Sequence, residues 1–228
     1  MLTKTPAQLK QMIHTGEILP GSIILTANGE AKGLNKPIAW AQKIALKDLG
    51  KIPEKEISEA AKYTHAAVIY DADTIVELYR PRARFRDIDE LTGYQVAIIL
   101  PRQKYFYDLP QNPEKTLNNV SIAGARSVID GEKYPTKELL YYLKYTTKSI
   151  RHWIPFMRNR SFFNLFKDDR YNVCSGAVWR WYRQAGMFMD VAGTNDEFPE
   201  AWYPARFYAD NRFVVQAKIT IKANKQND

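Results

Sequence analysis

Apolar positions recur along this chain with two different periods, and the changes of period divide it into elements. Thr5-Pro6, then Leu9, Met12 and Ile13, then Gly16, supply a cap, a first-turn proline, a stripe at helical spacing and a stop, which predicts a short first helix. Pro20-Gly21 turns into Ser22-Ile23-Ile24-Leu25-Thr26, read as a strand, before Gly29 and Gly33 open a loop. Pro37 begins a second helix that carries Ile38, Ala41, Ile44, Ala45 and Leu49 and stops at Gly50. Residues 65–70 and 74–79 read as two strands joined through Asp71-Ala72-Asp73, a hairpin, and residues 95–100 as a third strand that ends at Pro101.

Residues 113–170 form an insertion-sized block of mainly helical pattern, with Leu117, Val120, Ala123 and Val128 in one segment and Leu139, Leu140 and Leu143 in another. A helix beginning around Tyr171-Asn172-Val173-Cys174-Ser175 places Val173, Ala177 and Trp181 on one stripe, runs through Arg183 and meets Gly186 as its stop. A last strand spans residues 213–221. There is no internal repeat, low-complexity segment or composition shift, so the expectation is one α+β domain over residues 1–221, with 222–228 as a loose tail. The sheet is expected to be antiparallel and packed against the helix that carries the cysteine.

Composition narrows the class. A chain of 228 residues with 45% hydrophobic content and 14 Tyr, 10 Phe and 5 Trp can bury a substantial core and does not read as disordered. Lys and Arg number 33 against 25 Asp and Glu, a net charge of +8 that is spread along the chain. An anionic partner such as a membrane surface or cell-wall polymer fits this charge, and a simple solubility charge fits it better. Nucleic acid is disfavoured, because no dense basic arm, RNA-binding aromatic signature or zinc-finger spacing occurs. One cysteine excludes an internal disulfide and a zinc cluster built on thiolates. Residues 1–8 lack the apolar core of a secretory signal, and no apolar run is long enough to span a bilayer, so a soluble, cytoplasmic protein is expected.

The single thiol stands where a thiol ionises most easily. At the first turn of a helix, unpaired N–H groups and the helix dipole favour the thiolate and supply donors for an oxyanion. The other reading of Cys174 is a buried small apolar side chain. Of His14, His65 and His152, only His65 opens a convincing strand, which makes it the candidate general base on rigid scaffold. Glu77 is the candidate to orient the imidazole. If Asp71 to Asp73 form a three-residue loop, Ala67 faces Glu77 and His65 faces Tyr79, so that His65 and Glu77 share a sheet face as diagonal neighbours. A two-residue loop sends Glu77 to the opposite face.

Taken together, Pro20-Gly21-Ser22-Ile23-Ile24-Leu25, Tyr63-Thr64-His65-Ala66-Ala67-Val68, Ile75-Val76-Glu77 and Tyr171-Asn172-Val173-Cys174-Ser175, with histidine before cysteine, resemble papain-like cysteine hydrolases of permuted chain order. The likeness is to the YiiX-type branch of the NlpC cell-wall peptidase superfamily, a layout shared with lecithin:retinol acyltransferase-like proteins. It covers roughly residues 20–100 and 171–213. Such proteins often have Gly-Asp where this chain has Gly21-Ser22, a position that opens a structural strand. The resemblance implies a Cys174 nucleophile with a His65 base, and favours a polar third residue on the second strand of the hairpin.

The function expected is a cysteine hydrolase (amidase or peptidase) that cleaves a cell-wall-type peptide, an N-acyl or lipid-like amide, or an ester through an acyl-thioester, with neither cofactor nor metal. An acyltransferase of the same fold and a catalytically silent peptide- or lipid-binding module are the alternatives. The backbone N–H of Cys174 is the oxyanion donor of choice. Tyr171 reads as an aromatic anchor packing the helix start rather than as an oxyanion donor, and Ser175 as either a substrate contact or a small residue allowing close approach. Residues 153–163, which mix Trp153, Phe156, Phe162 and Phe163 with Arg158 and Arg160, suit a lid, an acyl-chain pocket or a membrane-facing patch, and equally an ordinary aromatic core. Trp179, Trp181 and Trp202 read as core or groove wall.

Overall fold

A computed structural model describes residues 1–28, 35–49, 52–79, 81–103, 113–134, 174–187 and 203–223. The predicted first helix is α1 (Pro6–His14), closed at its start by a full capping box between Thr5 and Gln8. A short strand β1 (Leu2–Lys4) precedes it, and β2 (Ile23–Asn28), α2 (Asn35–Leu49) and α3 (Glu54–Ala60) follow. The central part holds β3 (His65–Ile69), β4 (Thr74–Tyr79), β5 (Arg82–Asp87) and, after a 3-10 turn at Ile88–Leu91, β6 (Tyr94–Pro101). Then come α4 (Pro113–Ile129), α5 (Cys174–Gln184), α6 (Pro204–Ala209) and β7 (Phe213–Ile221).

All seven strands form one sheet in the order β1-β7-β6-β2-β3-β4-β5. The expectation of an antiparallel sheet is corrected here: β1 runs parallel to β7, with Leu2 opposite Ile219 and Lys4 opposite Ile221, so the sheet is mixed. Three residues before a helix cap carry no alternation to read, and β1 exists only because the edge of β7 offers it a partner. Strand β5 was also not foreseen, since its run of Arg82, Arg84 and Arg86 looks like a solvated charge cluster rather than a strand. The remaining helical block (135–170), Tyr171, His152, Trp202, the 153–163 segment and the glycine loop of Gly29 and Gly33 lie outside the described residues. No described helix is long and apolar enough to cross a membrane.

Each face of the sheet buries its own core, as period-two alternation requires. On one face Leu9, Met12 and Ile13 of α1 meet Ile24, Ala67, Ile69, Ile75, Val96 and Ile98. On the other, Ala66, Val68, Val76 and Leu78 meet α4 and α5 through Leu117, Val120, Ala177, Val178 and Trp181. Trp179 and Trp181 are fully buried, in keeping with their reading as core. Polar ties hold the helices on the sheet: Trp181 Nε1 donates to Ser127 Oγ at 2.8 Å, Ser121 Oγ to the Ile69 carbonyl at 3.1 Å, and Tyr182 Oη to the Gly21 carbonyl at 2.5 Å.

Gly21 is the tightest of these junctions. Its φ is +87°, and a Cβ there would lie 2.0 Å from the Leu117 carbonyl oxygen, so both the backbone conformation and the close approach of α4 require glycine. Gly21→Ala is expected to destabilise the fold by roughly 3 kcal/mol, read as a lowered denaturation midpoint in urea. Ser22 beside it is fully buried and its hydroxyl donates to the Leu19 carbonyl at 2.6 Å, closing the turn into β2.

Candidate active site at the splayed end of β3 and β4

The hairpin is closed by the three-residue loop on which the placement of Glu77 depends. Val68 pairs with Val76 and Ile69 with Ile75, and the Tyr70 N–H donates to the Thr74 carbonyl, leaving Asp71, Ala72 and Asp73 in the loop. Asp71 fixes that length, since its Oδ1 accepts from the Asp73 N–H, the Thr74 N–H and the Thr74 hydroxyl at 2.9, 2.7 and 2.8 Å. His65 and Glu77 therefore fall on one face, where Nε2 of His65 and Oε2 of Glu77 are 2.8 Å apart. The rings of His65 and Tyr79 meet edge-on at 5.5 Å.

Cys174 belongs to a helix on the other face of the sheet, and it reaches His65 where the sheet opens. The paired ladder between β3 and β4 ends at Val68 and Val76. Ile69 N–H donates to the Ser22 carbonyl just before β2 and Tyr70 N–H to the Thr74 carbonyl, so by alternation the Ala66 N–H points toward β4. It has no strand partner there and donates instead to the Cys174 sulfur, as does the Ser175 N–H. The first residue of α5 thus fills the notch between two diverging strands, with the sulfur hydrogen-bonded to His65.

Charge follows from these contacts. Burial alone would push the Cys174 thiol up, but the charge of His65 and the hydrogen bonds from His65, Ala66 and Ser175 outweigh it and lower the pKa. Burial likewise pulls His65 down, yet the charge of Cys174, the hydrogen bond to it and the carboxylate of Glu77 behind raise the imidazole to about 10. Glu77, fully buried, would be pushed up by desolvation, and is instead brought to about 2 by the hydrogen bond and charge of His65, with Arg84 and Arg86 assisting. A carboxylate accepts only, so Nε2 of His65 carries a proton and Nδ1 is the nitrogen left for the sulfur.

Arg84 and Arg86 were missed in the sequence together with their strand. Arg84 stands directly across from Glu77 in the β4–β5 register, with Nε and Nη2 each 2.8 Å from Oε1. Arg86 Nη1 lies 3.8 Å from Oε2. The usable signal was the alternation of Arg82-Ala83-Arg84-Phe85-Arg86 just after a strand and Pro81. His14 ends α1 exposed to solvent. Among the described residues no group of three or more His, Cys, Asp or Glu is placed to hold a metal ion.

The ion pair couples the stability of the fold to pH. Unfolded, His65 loses its proton near pH 6.5 and Cys174 at about 8.5; folded, the thiol ionises early and the imidazole holds its proton to about 10. Between those two unfolded values each state holds one proton, so the contribution of the pair is flat. Below them the unfolded chain takes up a second proton and stability is lost as pH falls toward the folded thiol pKa; above them only the folded pair retains a proton and stability is lost as pH rises through about 10. Subtracting urea-unfolding profiles of a Cys174→Ala, His65→Ala double variant from wild type should show this plateau with two falling shoulders. A difference that slopes in one direction throughout contradicts the ion pair.

Comparison with protein-family models, with curated proteins and with solved structures gives no match.

Proposed function

We propose that the protein is a cysteine hydrolase of the permuted papain-like type, similar to the YiiX branch of the NlpC superfamily, acting on an amide or ester. The observation that carries this reading is the connected row of sulfur, imidazole and buried carboxylate, with His65 Nε2 and Glu77 Oε2 at 2.8 Å and the thiol held down by His65. The thiolate of Cys174 attacks the substrate carbonyl carbon, forming a C–S bond while the carbonyl electrons move to oxygen. The N–H groups at the start of α5 are the donors for that oxyanion. As the intermediate collapses the bond to the leaving group breaks, and the imidazolium of His65 gives that group its proton. Neutral His65 then takes a proton from water, whose oxygen displaces the sulfur, and Glu77 keeps the ring oriented throughout.

Intact-mass analysis after incubation with peptide amides, N-acyl amides and activated esters tests the reading. The expected result is an acyl adduct on Cys174 that decays in water and is absent in Cys174→Ala. An added amine that appears in the product would assign acyl transfer instead. No adduct from any class, with Cys174 alkylated at the rate of an ordinary thiol, would leave a silent binding module.

A further inference from the structure

A second feature of the site has no part in the steps above. Thr26, Thr64, His65, Tyr79, Arg84, Arg86 and Tyr94 enclose a pocket of about 190 Å³ against the imidazole. Its lining is rich in donors, with two guanidinium groups, an imidazole and four hydroxyls, and holds no carboxylate among the described residues. Arg86 is 9% exposed; its Nη2 donates to the Glu90 carbonyl at 2.9 Å, and its guanidinium lies 5.1 Å from the Tyr94 ring. Its Nε is ion-paired with the Glu90 carboxylate at 3.3 Å, and that carboxylate is 56% exposed. Guanidinium groups set among hydroxyls match an oxyanion in charge and in hydrogen-bond geometry.

We infer that this pocket binds a compact oxyanion, a carboxylate or phosphate carried by the substrate, beside the bond that Cys174 attacks. The inference rests on the hydrolase reading for its substrate, and gives that substrate a chemical class: an amide or ester with an anionic group close to the scissile bond. A volume of about 190 Å³ suits such a group with a few attached atoms and is below the range of pockets that enclose a whole ligand, so a long acyl chain would lie elsewhere.

Two measurements separate the pocket from the nucleophile. Acetate or inorganic phosphate, against chloride at equal ionic strength, should raise the melting temperature of wild type saturably, and Arg86→Gln should lose that rise. This arm does not involve the thiol. Alkylation of Cys174 by iodoacetate should saturate with concentration and be slowed by whichever of acetate and phosphate raises the melting temperature, while acetamide has no effect. The ratio of iodoacetate to iodoacetamide rates should fall about tenfold in Arg86→Gln, whatever happens to the absolute rates, and recover in part in Arg86→Lys. Should Arg86→Gln not fold, the wild-type arms decide. No stabilisation by either anion, or an unchanged rate ratio, overturns the pocket while leaving a fast iodoacetamide reaction intact. Slow iodoacetamide reaction with saturable anion stabilisation instead removes the hydrolase reading and keeps the anion site.

Discussion

Glu77→Ala is expected to cost about 3–5 kcal/mol of folding stability, the loss typical of a buried ion cluster deprived of one partner. The carboxylate is fully buried and accepts from His65 and Arg84, with Arg86 at 3.8 Å. Its removal leaves three positive groups around a cavity. Arg84 can relieve part of this because its side chain is 42% exposed and can turn to water, whereas Arg86, at 9%, cannot. Glu77→Gln keeps the volume and an acceptor for Arg84, so it should lose much less stability while still disorienting the imidazole. Urea unfolding near neutral pH checks both variants. A loss below about 1 kcal/mol for the alanine variant would mean that the cluster is solvated and the carboxylate is not structural.

The second large effect is chemical. An ordinary thiol with a pKa of about 8.5 is only about 3% ionised at pH 7, so a thiolate held by His65 has about a thirtyfold advantage in ionised fraction. Removing the imidazole also leaves the sulfur in a buried setting that pushes its pKa up, while the lower intrinsic nucleophilicity of a low-pKa thiolate trims the advantage. His65→Ala is therefore expected to slow alkylation of Cys174 by iodoacetamide about thirtyfold at pH 7 and to shift its pH profile upward. His14, exposed at the end of α1, provides the control: His14→Ala should change neither. Equal rates in all three proteins would mean that His65 does not govern the thiol.

Most of the local structure could be read from the chain because it is written locally. Thr5, Pro6 and Gly16 bracket α1, short apolar runs mark β3, β4, β6 and β7, and Gly186, at φ +85°, follows the end of α5. The position of Glu77 turned on one loop residue, and the sequence held the deciding signal in Asp71 followed by Thr74, an aspartate able to bind the amides that close a three-residue turn. Other features depend on distant partners. Strand β1 is defined by β7, more than two hundred residues away, and the charges of β5 make sense only once Arg84 lies opposite a buried Glu77. The meeting of Cys174 with His65 is likewise tertiary. A helix on one face and a side chain on the other come together only because β4 leaves β3 beyond Val68, freeing the Ala66 N–H for sulfur.

The ionisation of Cys174 is the point on which the functional account turns, and the chain's single cysteine makes it directly measurable. Ultraviolet difference absorbance of the thiolate, wild type minus Cys174→Ala, should be followed as a function of pH. Full thiolate absorbance is expected at neutral pH, with a midpoint well below the ordinary thiol value and a return toward that value or above it in His65→Ala. A wild-type midpoint at or above about 8.5, unchanged by removal of the imidazole, would contradict the ion pair.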